Sequence, residues 1–296
     1  MNRFAAACAV GAAVLTVAAC SSSTTQSAGP SSSATSTSAA GAAMAGGAHT
    51  VTLAPMPTGT ATLTWNAANE TVTAALNMSG FTPGGAHAMH IHPGTCADQT
   101  KPPSVPFPDI TADSSGDVHQ TVTSTTKSPG GIPASSYLNI HLAPSATMGA
   151  PGSLGFTPIA CADIPAGTAH GPVTLKLTAP PDHGRTPAGT ATWSYDAATH
   201  KLTVDVRATG LPANTSHAVH FHDGSCVKQG AVAYGLPDLK TDGSGGGSEH
   251  ATITVSGPPP AHGWYVNLHF GPMAKILAGG NPTMEFAPVL CGDVVG

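Results

Sequence analysis

Short stretches of alternating apolar and polar residues recur along the chain from residue 49 onward. In the stretch Met89-His90-Ile91-His92, we expect Met89 and Ile91 on one face of a strand and His90 and His92 on the other. Long stretches with a helical period are absent, and Val, Thr, Gly and Pro are frequent, which favours short strands joined by turns. The pattern therefore predicts an all-β protein.

The motifs around this strand occur twice. HAMHIHPGTC, from His87 to Cys96, returns 130 positions later as HAVHFHDGSC, from His217 to Cys226. A later strand motif, YLNIH, ends in His141 and returns as YVNLH. Two copies of one domain are therefore predicted, because a motif repeated at a fixed distance is the signature of a tandem repeat.

The residues around the two copies predict an exported lipoprotein. Residues 1–20 have a basic start and a short apolar run, and they end in small residues before Cys20, which is typical of a lipid-modified bacterial signal peptide. Residues 21–48 are mostly Ser, Thr, Ala and Gly, which predicts a disordered tether. The repeats follow as predicted domains at 49–165 and 170–296. We expect the protein in the cell envelope, anchored through Cys20 at the outer face of the cytoplasmic membrane.

Four cysteines lie in the predicted domains, at equal separations. Cys96 and Cys161 are 65 residues apart, as are Cys226 and Cys291. One disulfide per domain is the expected pairing outside the cytoplasm. A cysteine-based metal site is less favoured, because no C-x-x-C spacing occurs.

The charge of the chain excludes one class of partner. Only 8% of residues are charged, and 15 acidic residues stand against 10 Lys and Arg. Basic runs and exposed aromatic platforms are missing, so the sequence does not predict nucleic-acid binding.

Three histidines in each copy are predicted on the strand face that turns away from the core. They are metal-ligand candidates, since imidazole suits copper and zinc and three of them leave one coordination position open. Surface histidines without a metal are the alternative, and ligand count alone also permits zinc. The predicted ligands are His90, His92 and His141 in the first copy and His220, His222 and His269 in the second.

His87 and His217 differ from the other histidines of the repeat. Their positions in the alternation match the core-facing residues Met89 and Val219. A structural hydrogen-bonding role is therefore predicted for both, rather than metal ligation.

Both copies resemble copper/zinc superoxide dismutase. The resemblance is carried by H-x-x-H-x-H followed by a cysteine, a strand ending in histidine, and A-C-A-D or L-C-G-D near the domain end. It implies Greek-key β-barrel or sandwich domains that hold copper through the predicted ligands, the two disulfides above, and structural roles for His87 and His217. Residues 97–109 and 227–238 contain no histidine. The zinc ligands of that family are therefore missing, and zinc is not expected.

This resemblance implies a copper-binding envelope lipoprotein that dismutates superoxide weakly, with superoxide or a copper ion as its partner. Catalytic residues and protein partners are not predicted. Two alternatives stay open. One is a non-catalytic copper buffer or chaperone. The other is a structural or binding module of chordin type without metal, similar through the G-L-x-x-x-x-x-H-x-x-H-x-H pattern from Gly210 to His222.

Overall fold

A computed structural model describes residues 46–181 and 186–295. The predicted signal peptide, the predicted lipid-modified Cys20 and nearly all of the predicted tether lie outside these residues. The described residues form strands, loops and two three-residue 3₁₀ helices. The all-β prediction is confirmed. Within these ranges no helix has the length and apolar character needed to cross a membrane.

The strands of the described residues follow the alternation of the sequence. The first ten in chain order are β1 (His49–Pro55), β2 (Thr58–Asn66), β3 (Thr71–Ser79), β4 (Ala86–His87), β5 (Met89–Pro93), β6 (Val105–Pro106), β7 (Ile110–Thr111), β8 (Val118–Thr123), β9 (Ser136–His141) and β10 (Pro158–Ile164). The next ten are β11 (Val173–Leu177), β12 (Ala188–Asp196), β13 (Lys201–Thr209), β14 (Ser216–Ser225), β15 (Lys228–Lys240), β16 (Gly247–Thr254), β17 (Trp264–His269), β18 (Leu277–Ala278), β19 (Asn281–Pro282) and β20 (Pro288–Asp293). The 3₁₀ helices are Leu154–Phe156, before β10, and Met284–Phe286, before β20.

The two repeats arrange their strands in the same order. One eight-stranded sheet has the order β15-β14-β17-β20-β1-β12-β13-β16. The corresponding strands of the other half form two four-stranded sheets, β10-β9-β5-β6 and β11-β2-β3-β8. A β-bridge between Cys161 and Thr178 joins β10 to the end of β11. The combined order, β6-β5-β9-β10-β11-β2-β3-β8, thus matches the eight-stranded sheet strand for strand.

The first strand of each repeat lies in the sheet of the other repeat. β1 pairs with β12 and β20, whereas β11 pairs with β2. Equivalent threonine pairs mark the two crossings, with Oγ1–Oγ1 distances of 2.8 Å for Thr50 and Thr192 and 2.9 Å for Thr62 and Thr174. The predicted domain boundaries stay a prediction, but hydrogen bonding crosses them at these strands.

The exchanged strands also complete the two hydrophobic cores. Val51 and Leu53 of β1 belong to the core that contains Trp193 of the second repeat. Leu175 and Leu177 of β11 belong to the core of the first repeat. Burial of such side chains is the main stabilising contribution to a fold of this kind. Each half therefore depends on side chains from the other.

Both predicted disulfides are present. Cys96 is bonded to Cys161 and Cys226 to Cys291, with a sequence separation of 65 in each case. Each bond fastens the loop that follows the H-x-H strand to the last strand of its repeat. A carboxylate beside the bond holds the same loop, since the Cys96 amide donates to Asp163 Oδ1 at 2.7 Å.

Candidate metal centres

Neighbouring antiparallel strands position the first group of histidines. In the pairing of β5 with β9, His90 lies opposite Asn139 and His92 lies opposite Tyr137. His141 ends β9, two residues after Asn139, and therefore projects from the same face. Opposite side chains in such a pair are about 5 Å apart at Cβ, so the three imidazoles are brought together by the register alone.

The second repeat builds the same arrangement. In the pairing of β14 with β17, His220 lies opposite Asn267 and His222 lies opposite Tyr265. His269 ends β17, as its counterpart ends β9.

We call the two sets of three histidines the first and second triads. In each triad, one ring nitrogen from each histidine lies within 4.8 Å of the other two. Ring centroids are 5.4–6.1 Å apart in the first triad and 4.9–5.7 Å apart in the second. Two nitrogens bound to one ion at about 2 Å each are at most about 4 Å apart, so small ring rotations would close either triad on an ion.

The triads lie on the face opposite the core, but loops cover them. All six rings are buried, and the most exposed, His90, is 8% exposed. The structure thus brings together every residue of both predicted ligand sets. That a metal is bound there stays a prediction.

Backbone carbonyls set the protonation pattern of the first triad. His92 Nδ1 lies 2.9 Å from the Lys101 carbonyl, and His141 Nδ1 lies 2.7 Å from the Phe156 carbonyl. A carbonyl only accepts, so both Nδ1 atoms carry the proton and both Nε2 atoms keep a lone pair. Such contacts orient the imidazole ligands of metal sites. Nδ1 of His90 is buried and has no hydrogen-bond partner.

The second triad follows the same rule and adds a contact between two rings. Nδ1 of His222 donates to the Gly230 carbonyl at 3.1 Å, and Nδ1 of His269 donates to the Phe286 carbonyl. Because Nε2 of His269 must then accept, Nδ1 of His220 donates to it, at 3.0 Å. One hydrogen bond therefore already joins two imidazoles of this triad.

Burial keeps the triad imidazoles neutral. Burial, together with the neighbouring imidazoles, lowers the pKa of His90 and of His220 to about 4. Burial also lowers the pKa of His269, to about 3. The pKa values of the other three triad histidines are lowered by the same cause. Neutral imidazole is the form that binds metal ions.

His87 and His217 hold the backbone behind the triads. Nδ1 of His87 donates to the carbonyl of His141 at 3.0 Å, and Nδ1 of His217 donates to the carbonyl of His269 at 2.9 Å. Both rings are buried. Each thus positions the third histidine of its triad through the main chain, an arrangement that suits the predicted structural role.

The two repeats differ in the hydrogen bonding of Nε2 of these two histidines. Thr215 Oγ1 lies 2.8 Å from Nε2 of His217. The equivalent residue in the first repeat is Gly85, and Nε2 of His87 is buried without a partner.

Two further residues of each triad face were not assigned a role from the sequence. Tyr137 stacks on His92 with ring centroids 5.2 Å apart, and Tyr265 stacks on His222 at 4.9 Å. The asparagine between tyrosine and the third histidine lies among the imidazoles. The signal was available, because the pattern Y-x-N-x-H occurs in both repeats.

Comparison with known protein families gives a match in the second repeat. Residues 172–271 match the model of the CHRD domain, over most of the second repeat, including its triad. None of the curated proteins matches the chain.

This match corrects the expectation of a superoxide dismutase. The matching family is a distinct β-sandwich family, so the assignment to the copper/zinc superoxide dismutase family is wrong, and a barrel of that type is not confirmed. The dismutase-like copper function inferred from that family falls with it, and copper as the bound ion loses the support of that resemblance and stays untested. The resemblance was misleading because its motifs describe a strand, a loop and a disulfide, and these elements are not confined to one β family.

Proposed function

We propose that the protein is a non-catalytic binding protein of chordin-domain type, in which each repeat holds one transition-metal ion through three imidazoles. The observation that carries the proposal is the pair of buried triads, each with three ring nitrogens within 4.8 Å of one another. The CHRD match supports a binding protein over an enzyme.

The unpartnered atoms of the triads fit a metal ion. His90 Nδ1, His92 Nε2 and His222 Nε2 are buried and have no hydrogen-bond partner. A buried polar atom without a partner costs about 1–3 kcal/mol, and an ion at the centre of the triad would satisfy these lone pairs. The cysteines of both repeats form disulfides, so thiolate ligation does not compete.

The three imidazole donors favour copper or zinc over other metal ions but do not distinguish between these two. Three neutral imidazoles without thiolate or carboxylate suit copper and zinc. That copper is bound and zinc is not stays a prediction, and separate titrations with the two ions distinguish them.

The groups beside the triads favour holding an ion over turnover. Burial raises the pKa of Tyr137 to about 12 and raises the pKa of Tyr265 as well. Both phenols therefore stay protonated at neutral pH and are poor proton acceptors. A protein of this kind would store the metal ion or pass it on. The backbone carbonyls that accept from the imidazoles would keep these ligands in place around the ion.

We also propose that the protein acts outside the cytoplasm. The two disulfides favour this location, because oxidising compartments preserve such bonds. Anchoring through lipid on Cys20 is part of the same proposal. The binding partner of the protein would be the metal ion.

The test is metal stoichiometry of the purified protein, titrated separately with Cu(II) and Zn(II) and measured by calorimetry and elemental analysis. We expect one ion per triad. The paired substitutions H90Q/H92Q and H220Q/H222Q should each remove one ion. The matched control, H119Q/H250Q, changes two exposed histidines at equivalent places outside the triads and should remove none.

A correctly folded protein that takes up neither ion would contradict the metal proposal. So would uptake that both triad variants retain in full. The first result would leave a chordin-type binding module without metal, the second candidate, which the CHRD match supports by itself. The second result would place the bound ion outside the triads.

A further inference from the structure

A buried amide lies among the imidazoles of the second triad. A metal ion bound by the three imidazoles would not by itself explain why an amide is buried there. Asn267 is 0% exposed, and neither its Nδ2 nor its Oδ1 has a hydrogen-bond partner. It lies directly opposite His220 and two residues before His269, on the same strand face. Burying both ends of an amide without partners is unfavourable, so the position calls for a group that can hydrogen-bond to it.

The first triad shows where such an amide points. Nδ2 of Asn139, the equivalent residue, lies 3.3 Å from Nε2 of His141, one of the candidate ligand nitrogens. The same Nδ2 donates to Oε1 of Gln99 at 3.2 Å. Gln99 is itself held by the Cys96 carbonyl, which accepts from its Nε2 at 3.0 Å. The first amide is thus aimed at the triad and covered by a glutamine.

The equivalent glutamine of the second repeat is turned away. Gln229 follows Cys226 by three residues, as Gln99 follows Cys96. Its Nε2 donates to the carbonyl of Phe81 at 2.7 Å, and its backbone amide donates to the carbonyl of Ser115 at 3.3 Å. Both acceptors belong to the first repeat. The contact between repeats therefore holds Gln229 away from Asn267, whose amide stays buried without a partner.

Charge indicates which group would pair with the unpartnered amide of Asn267. The triads contain histidine alone, and imidazole binds metal ions as the neutral base, so a divalent ion held there would keep its full charge in a buried site. A buried charge is stable only when it is paired. An anion beside the ion would supply that pairing, and the amide N–H of Asn267 would donate to it.

We propose that Asn267 is the recognition group for a small anion that shares the second triad with the metal ion, and that Gln99 closes the equivalent position in the first triad. This inference rests on the metal binding proposed above. The two sites then differ in function: the second accepts an exogenous anion, and the first holds its ion without one.

The experiment uses the full chain with one triad removed at a time. H90Q/H92Q leaves only the second triad, and H220Q/H222Q leaves only the first. Each variant is loaded with one equivalent of Cu(II), chosen because it is visible by absorption and electron paramagnetic resonance. It is then titrated with sodium azide, and the azide-to-copper charge-transfer band is followed.

We expect the second triad to bind azide at least about tenfold more tightly than the first, the size of one charge-assisted hydrogen bond. N267L in the second-triad background should weaken azide binding about tenfold when it is compared with its parent at equal copper loading. Q99A in the first-triad background should strengthen azide binding, because it uncovers Asn139. This second variant tests the inference without altering a buried residue of the triad.

Equal azide affinity at both triads would overturn the inference, as would N267L or Q99A leaving the affinities unchanged in copper-loaded protein. Failure of both backgrounds to take up Cu(II) is a different result, because it contradicts the proposed metal binding itself.

Discussion

The substitution Leu53→Ala tests the strand exchange directly. Leu53 lies on β1, in the first repeat, but its side chain is 0% exposed in the core of the second. We expect the substitution to lower the free energy of unfolding by about 3 kcal/mol. It should do so by weakening the second half of the protein, where the side chain is packed.

The magnitude follows from the surroundings of Leu53. Removing three buried carbons forfeits about 2.4 kcal/mol of transfer free energy, at about 0.8 kcal/mol each. The cavity left behind adds to this loss when the site cannot collapse. A Cβ at Gly189 would lie 3.3 Å from Leu53 Cδ1, and one at Gly292 would lie 2.9 Å from Cδ2, so backbone surrounds the side chain closely. Backbone in a paired sheet has little freedom to fill the space.

Urea unfolding measures the total loss, and amide hydrogen exchange followed by mass spectrometry locates it. Exchange should quicken most in β12 and β20, which pair with β1. Leu177→Ala on β11 is the matched control and should quicken exchange most in β2, its partner. If Leu53→Ala instead loosened β2 and β3 and left β12 and β20 unchanged, the strand exchange would be refuted.

Three other predictions concern the histidines and the disulfides. Lowering the pH of the metal-free protein from 7 to 5 should lower the free energy of unfolding. Burial lowers the pKa of groups such as His90 to about 4, so the unfolded chain, with pKa values near 6.5, takes up more protons in this window; thermal melts that do not vary with pH would contradict this. Replacing Cys226 and Cys291 with serine should cost about 4 kcal/mol in urea unfolding, because the bond closes a loop with a separation of 65, and an unchanged midpoint would refute this. Thr215→Val should cost about 1–3 kcal/mol, since it leaves Nε2 of His217 without its 2.8 Å partner, and calorimetric melts would show the loss.

Much of the triad geometry could be predicted from local sequence. Strand alternation separates His90 and His92 from Met89 and Ile91, and the structure keeps that separation, with Met89 and Ile91 in the core. The disulfides followed from equal cysteine separations in a repeat. These features were predictable because each depends on residues close in sequence or repeated at a fixed distance.

The partners that complete each triad could not be predicted in this way. The carbonyls of Lys101 and Phe156 hold the rings of the first triad, and both lie in loops whose path the alternation does not specify. Because these carbonyls bond to the rings, the loops that carry them also bury the rings. A strand pattern predicts which way a side chain points, but not what will cover it.

The exchange of first strands could not be predicted either. β1 and β11 carry similar alternating sequences, with Leu53 and Leu177 both facing a core. Alternation specifies the buried face of a strand and is silent about which of two equivalent neighbours it joins. Whether the first strand of a repeat pairs within its own repeat or with the other repeat is decided by the tertiary structure.

Reciprocal exchange makes the tandem chain the covalent equivalent of a domain-swapped homodimer. A homodimer of that kind dissociates on dilution, because each molecule takes its first strand from the other. Joining the two repeats in one chain turns that bimolecular association into an intramolecular step with a high effective concentration. The tandem chain therefore keeps each exchanged strand paired at any dilution, and its two histidine triads can diverge while the strands stay in place.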